Sequence, residues 1–103
     1  MKLNSFSPIP EDDEELHLPE LVYWASLGGL AEVEQLLASG SDANTADEEG
    51  YSALHAAAEN GYLDVVKLLI SKGADVQHKT QYTALELAEM AGNAEVAAYL
   101  KSL

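Results

Sequence analysis

Cysteine and arginine are both absent from the 103 residues, and each absence closes off chemistry. Without a thiol there is no disulfide framework, no thiolate nucleophile and no Cys-based zinc site. Without arginine, and with five lysines against eighteen Asp and Glu, the formal net charge is −13. Affinity for nucleic acid rests largely on Lys and Arg neutralising phosphates, so nucleic acid is a poor partner for this chain. Anionic membrane surfaces are disfavoured on the same ground. Nor does any stretch approach the ~18 consecutive apolar residues of a membrane helix. Residues 1–10 hold Lys2 but lack the apolar run of ~7–15 residues that a secretory signal carries. The expectation is a cytoplasmic protein, monomeric when unbound, with no membrane contact.

What is present points to ordered helix. Hydrophobic residues make up 48% of the chain, dominated by Ala and Leu, which suits a packed helical domain rather than a disordered segment. The length is enough for one domain at the small end of stability. The acidity is uneven. Eleven of the thirteen net negative charges precede Gly50, residues 17–49 hold seven acids and no lysine, and residues 50–80 balance to zero. Electrostatic steering of a basic partner protein would therefore act through the N-terminal half.

Self-similarity organises the rest. Gly28, Leu30, Val33 and Leu36 recur as Gly61, Leu63, Val66 and Leu69, a shift of 33 residues, and Gly40 and Asp42 recur as Gly73 and Asp75. A further copy follows at a shift of 31, where Ala53-Leu54, Ala57, Gly61, Val65 and Leu69 meet Ala84-Leu85, Ala88, Gly92, Val96 and Leu100. In the middle copy Ser52 is placed to cap a helix whose small residues allow close approach of a neighbour. Gly61 ends that helix, where a left-handed residue is wanted. Leu63, Val66, Leu69 and Ile70 then mark a second amphipathic helix, closed by Lys72-Gly73.

The run from Gly50 to Ile70, with Gly73-Ala74-Asp75-Val76 after it, closely resembles the ankyrin repeat, and the likeness extends over residues 17–103. The resemblance implies an all-α solenoid of stacked helix-turn-helix units with short hairpin fingers. Its copies span about residues 17–49, 50–80 and 81–103, behind an acidic N-terminal tail of residues 1–16. The family's Thr-Pro-Leu-His opening reads Ser52-Ala53-Leu54-His55 in the second copy and Thr83-Ala84-Leu85-Glu86 in the third. The shorter spacing predicts a stubbier finger around residues 77–81 than at 45–50. The first copy lacks the consensus opening and begins with Pro19 at a first-turn position, as terminal copies often do. Tyr23 and Trp24 stand where the middle copy has Ala56 and Ala57, so Phe6 or Ile9 of the tail is expected to fold back onto Trp24. At the other end Ala94, Glu95, Ala97, Ala98 and Lys101 make the last helix small and polar.

No residue stands out for catalysis, metal binding or a cofactor. His17, His55 and His78 are the only acid–base candidates near neutral pH, and none has a second histidine three or four residues on. His55 matches the family's turn-fixing histidine, and His17 and His78 are expected to be solvated. The run Glu11-Asp12-Asp13-Glu14-Glu15 lacks the alternating order that wraps calcium and reads as a solvated acidic stretch. Phosphate loops, nucleophile elbows and His-Glu-x-x-His are missing. The expectation is therefore no enzyme, no metal and no cofactor.

In the resembled family, partners dock on the concave side, on hairpin tips and the exposed face of each first helix. Position by position this implies Asp47, Glu48, Glu49, Tyr51, Glu59 and Asn60 from the finger and middle copy, with Ala46 beside them. It adds Tyr82, Met90 and Ala91 from the third copy, Thr80 less directly because its finger is short, and Ser26 and Leu27 from the first. Aromatic and methionine anchors among acids suit a contact surface. Asp47 and Gly50 are turn positions in any case, whereas Glu48 and Glu49 are free choices. Three roles compete. The first is an inhibitor or adaptor masking a basic protein surface, in one form an immunity protein against a toxin. The second is a general scaffold or regulator, such as a kinase or transcription-factor inhibitor. The third is a partnerless structural or designed fragment, which the irregular copies argue against.

Overall fold

The computed structural model describes residues 18–103. His17, the tail of residues 1–16 and its expected contact with Trp24 lie outside the described residues. Among those described, each copy folds as a helix pair: α1 (Glu20–Leu27) with α2 (Leu30–Ala38), α3 (Ala53–Asn60) with α4 (Leu63–Ser71), and α5 (Ala84–Ala91) with α6 (Ala94–Lys101). Two-residue links force the partners of a pair to run antiparallel. The first helices stack as an inner row, α1 on α3 on α5, and the second helices line up more loosely behind them. No strand is present among the described residues, only the isolated bridges Ala46–Ser52 and Lys79–Thr83. The architecture is the all-α repeat stack that the resemblance implies.

The helix starts follow their side chains. Ser52 Oγ accepts from His55 N at 3.2 Å, while His55 Nδ1 accepts from Ser52 N at 3.1 Å, a reciprocal capping box. Thr83 and Glu86 repeat it, with Glu86 N donating to Thr83 Oγ1 at 3.2 Å and Thr83 N donating to Glu86 Oε1 at 2.9 Å. The first copy has no such pair. Pro19 is the N-cap of α1 itself, one position before the expected first turn, and makes no side-chain cap bond.

The inner helices can stack closely because the buried row is small: Ala25, Ala53, Ala56, Ala57, Ala58, Ala84 and Ala88 are buried between them. Val33, Val65, Val66, Leu69 and Val96 fill the space toward the second helices. A second register mark lies at the helix turns. Gly28 and Gly61 both take φ near +80° (75° and 81°), a left-handed turn that favours glycine. Both are also covered by the following copy. A Cβ on Gly28 would lie 2.6 Å from the Tyr62 ring, and one on Gly61 would lie 2.9 Å from Asn93 Oδ1. Asn93 Nδ2 donates to the carbonyls of Ala58 (2.9 Å) and Glu59 (2.8 Å), tying the third copy to the second.

At the far end of the row the pattern changes. Glu89 occupies the repeat position of Ala25 and Ala58, and Lys101 that of Leu37 and Ile70. Glu89 Oε2 and Lys101 Nζ pair at 3.2 Å across α5 and α6. An ion pair thus stands where the inner copies are apolar.

Candidate partner-binding surface

The finger between the first two copies is built by Asp47. Its Oδ1 accepts from Glu49 N and Tyr51 N, both at 2.9 Å, and its backbone N donates to Tyr51 O at 3.0 Å. With Asp47 turned inward on this task, Glu48 and Glu49 are left exposed at the tip. The next finger braces the first. Thr80 Oγ1 donates to Glu49 O at 3.0 Å, and His78 Nε2 donates to Gly50 O at 2.9 Å. Bridge partners are six residues apart in the first finger and four in the second, the stubbier shape predicted. Asn44 adds another cross-link, donating to Gly73 O at 3.2 Å and accepting from Asp75 N at 2.7 Å.

His55 and His78 connect this layer to the helices. His55 is 1% exposed, its ring stacks on Tyr51, and its Nε2 donates to Tyr82 O at 3.0 Å. Since Nε2 carries the proton, Nδ1 is the acceptor that the Ser52 capping box requires. Burial pushes His55 below the usual imidazole range, partly offset by the Tyr82 carbonyl. The structural role expected for His55 fits this geometry. The solvated position expected for His78 does not: it is half-buried, bonded to Gly50 and edge-on to His55. A loop position gave no hint that a carbonyl of the neighbouring finger would sit within its reach.

The other expected contact residues fall into register along the inner row. Ser26 and Leu27, Glu59 and Asn60, and Met90 and Ala91 end successive first helices. Ser26 is half-buried, its hydroxyl donating to Tyr23 O at 2.7 Å, whereas Leu27 is 52% exposed. Asn60 is exposed but its Nδ2 bonds back to Ala56 O at 2.8 Å. Tyr51 bridges finger and helix, its hydroxyl donating to Glu59 Oε1 at 2.5 Å. Burial first, and then this bond to Glu59, push the Tyr51 phenol far above its ordinary range, so the proton stays on Tyr51. In the third copy Tyr82 is exposed and Met90 is 63% exposed. Ala46 is half-buried in the finger and Ala91 exposed on α5. Thr80 is committed to bracing the finger.

Sequence reasoning passed over Tyr62 and Leu30, two exposed apolar side chains at the turn edge. With Leu63, Asp64 and Glu95 they line an open cleft of about 330 Å³. Their signal was present as apolar residues at turn positions, but Leu30 and Leu63 also belong to the periodic core set. Among the described residues, no group of three or more His, Asp or Glu is arranged to hold a metal. No helix among them is long and apolar enough to cross a membrane.

A stack of helix pairs with fingers along one edge defines a repeat-built interaction module. The family model described as "Ankyrin repeats (3 copies)" matches residues 21–102, and the chain belongs to that family. Ankyrin repeats generally mediate protein–protein interaction and are typically non-catalytic. The "Ankyrin repeat and KH domain-containing protein mask-1" of Caenorhabditis elegans is 42% identical over 83 residues, 78% of this chain and 3% of that protein. "Ankyrin repeat domain-containing protein 49" of Bos taurus is 40% identical over 81 residues, 77% of this chain and 34% of its own length. "Serine/threonine-protein kinase 12" of Arabidopsis thaliana is 35% identical over 88 residues, 84% of this chain and 19% of its own. The chain therefore spans about a third or less of each of these relatives.

Proposed function

We propose that this chain is a non-catalytic inhibitor or adaptor that masks a basic surface of a partner protein. The observation that carries the reading is the finger tip, where Glu48 and Glu49 are exposed while Asp47, Thr80 and His78 hold the backbone beneath them. A braced finger presents its charges without the ordering cost of a loose loop. Residues 17–49 carry no lysine to offset the field. One concrete form is an immunity protein covering a basic toxin in the cytoplasm, the chain being monomeric until bound. The partner surface on this reading is Glu48, Glu49, Tyr51, Glu59, Asn60, Tyr82 and Met90, with Ser26 and Leu27 at its edge and Asp47 as its scaffold.

A second reading, a regulatory scaffold, is favoured by the relatives, in which the matched repeats are a minor share of longer proteins. Capture from the native host at low and high salt separates these readings. An inhibitor should retain one basic protein stoichiometrically, released by salt and weakened by Glu48→Lys with Glu49→Lys. Retention unaffected by the double substitution overturns the basic-partner reading. Recovery of several partners at once, none of them basic, favours the scaffold.

A further inference from the structure

The second and third copies carry the same frame with different contents. Tyr51 and Tyr82 share a repeat position at a shift of 31 residues, and so do Glu59 and Met90. In the second copy the Tyr51 hydroxyl holds the Glu59 carboxylate at 2.5 Å, beside the exposed Glu48 and Glu49. The third copy has an exposed thioether at the position of that carboxylate, and Tyr82, at the position of Tyr51, is 40% exposed. We propose that the inner face holds two unlike subsites, one repeat apart. Glu59, oriented by Tyr51, takes a lysine or arginine, and Met90 with Tyr82 takes an apolar side chain. This deepens the basic-partner reading and rests on it.

Charge complementarity decides the occupant of the first subsite, because the first finger and α3 carry carboxylates and no lysine of their own. The second subsite offers polarisable, adaptable apolar surface. Neighbouring helices of a stack lie about 8–10 Å apart. A chain in the polyproline II conformation advances about 3.1 Å per residue and returns its side chains to the same face every third residue. The partner segment should therefore present its basic and apolar side chains about three residues apart. A uniformly basic segment would set a lysine on Met90 and Tyr82, where the nearby acids of α5 are already engaged, Glu86 by the Thr83 cap and Glu89 by Lys101.

The test uses the full chain labelled with nitrogen-15 and Gly/Ser peptides holding Lys-Ser-Ser-Leu, the reverse Leu-Ser-Ser-Lys, adjacent Lys-Leu, or Lys-Ser-Ser-Lys. One orientation of the spaced Lys/Leu peptides should shift the amides of both Glu59 and Met90. It should bind about fourfold tighter than the adjacent pair, the worth of roughly one buried methylene. Met90→Glu should reverse the preference toward Lys-Ser-Ser-Lys, and unchanged helical circular dichroism should show that this variant is folded. Equal affinity for all lysine peptides, with shifts at Glu48, Glu49 and Glu59 alone, overturns the two-subsite proposal and leaves the basic-partner reading standing. If no lysine peptide shifts the finger, both fall.

Discussion

The rings of His55 and His78 meet edge-on, centroids 5.4 Å apart at 64°, and each Nε2 holds a carbonyl of a finger. His55 reaches forward to Tyr82, and His78 reaches back to Gly50. The pair therefore ties both fingers to α3 through two donors that must keep their protons on Nε2.

The first prediction concerns pH. His55 is held below its ordinary value, so the unfolded chain binds the extra proton more readily than the fold does. Stability is full above the unfolded imidazole value of about 6.5 and falls as pH drops below it toward the lowered folded value. The charge of the His78 ring opposes His55 protonation, while the Tyr82 carbonyl, the His78 backbone and Asp47 favour it. Urea unfolding at about pH 7.5 and about pH 5.5 should show the loss, and His55→Gln should reduce the difference between the two. An unchanged pH difference in His55→Gln would place the effect elsewhere.

Loss of a helix cap is the second. Thr83→Ala removes the acceptor for Glu86 N at the start of α5 and should cost about 1 kcal/mol in chemical denaturation. Ser52→Ala should cost more, because the Ser52 hydroxyl also lies 2.8 Å from His55 Nδ1. Equal costs would argue that the Ser52–His55 contact adds nothing to the cap.

Third, two glycines with the same backbone should respond differently to alanine. Gly61 and Gly92 have φ of 81° and 79°, so both variants bear a left-handed strain of about 1–2 kcal/mol. At Gly61 the new methyl also strikes Asn93, whereas at Gly92 nothing lies within 4 Å. Gly61→Ala should melt well below Gly92→Ala; matching melting temperatures would mean that Asn93 gives way freely.

The fourth concerns the ion pair at the end of the row. Lys101 and Glu89 are 63% and 46% exposed, and solvent screens such pairs, so Lys101→Ala should change stability by about 0.5 kcal/mol or less. A larger loss in thermal melts would show that the pair does more than occupy an apolar position with charge.

The helix pairs, caps and finger lengths were legible in the sequence because each follows from a local rule. Spacing marks the helix faces, Ser52 and Thr83 mark the starts, and a two-residue deficit marks the shorter finger. The cross-repeat bonds were not legible. Asn44 to Gly73, Thr80 to Glu49 and Tyr62 over Gly28 join residues about 30 positions apart, and each depends on the stack having already formed. His78 shows the difference most clearly, since a polar side chain in a loop reads as solvated until a neighbouring carbonyl is placed beside it. The acidic tip was readable from composition. The hydrogen bond of Tyr51 to Glu59 needed the fold, although the exchange of Glu59 for Met90 can be read at the 31-residue shift.

The unequal fingers give the proposed binding edge a direction. Because the second is two residues shorter between bridges than the first, a partner running along the edge meets a tall acidic post and then a low step. Such an edge is not its own image when turned end for end, so a segment that fits it one way leaves a gap or a clash the other way. Orientation is thereby selected before any single side chain is read.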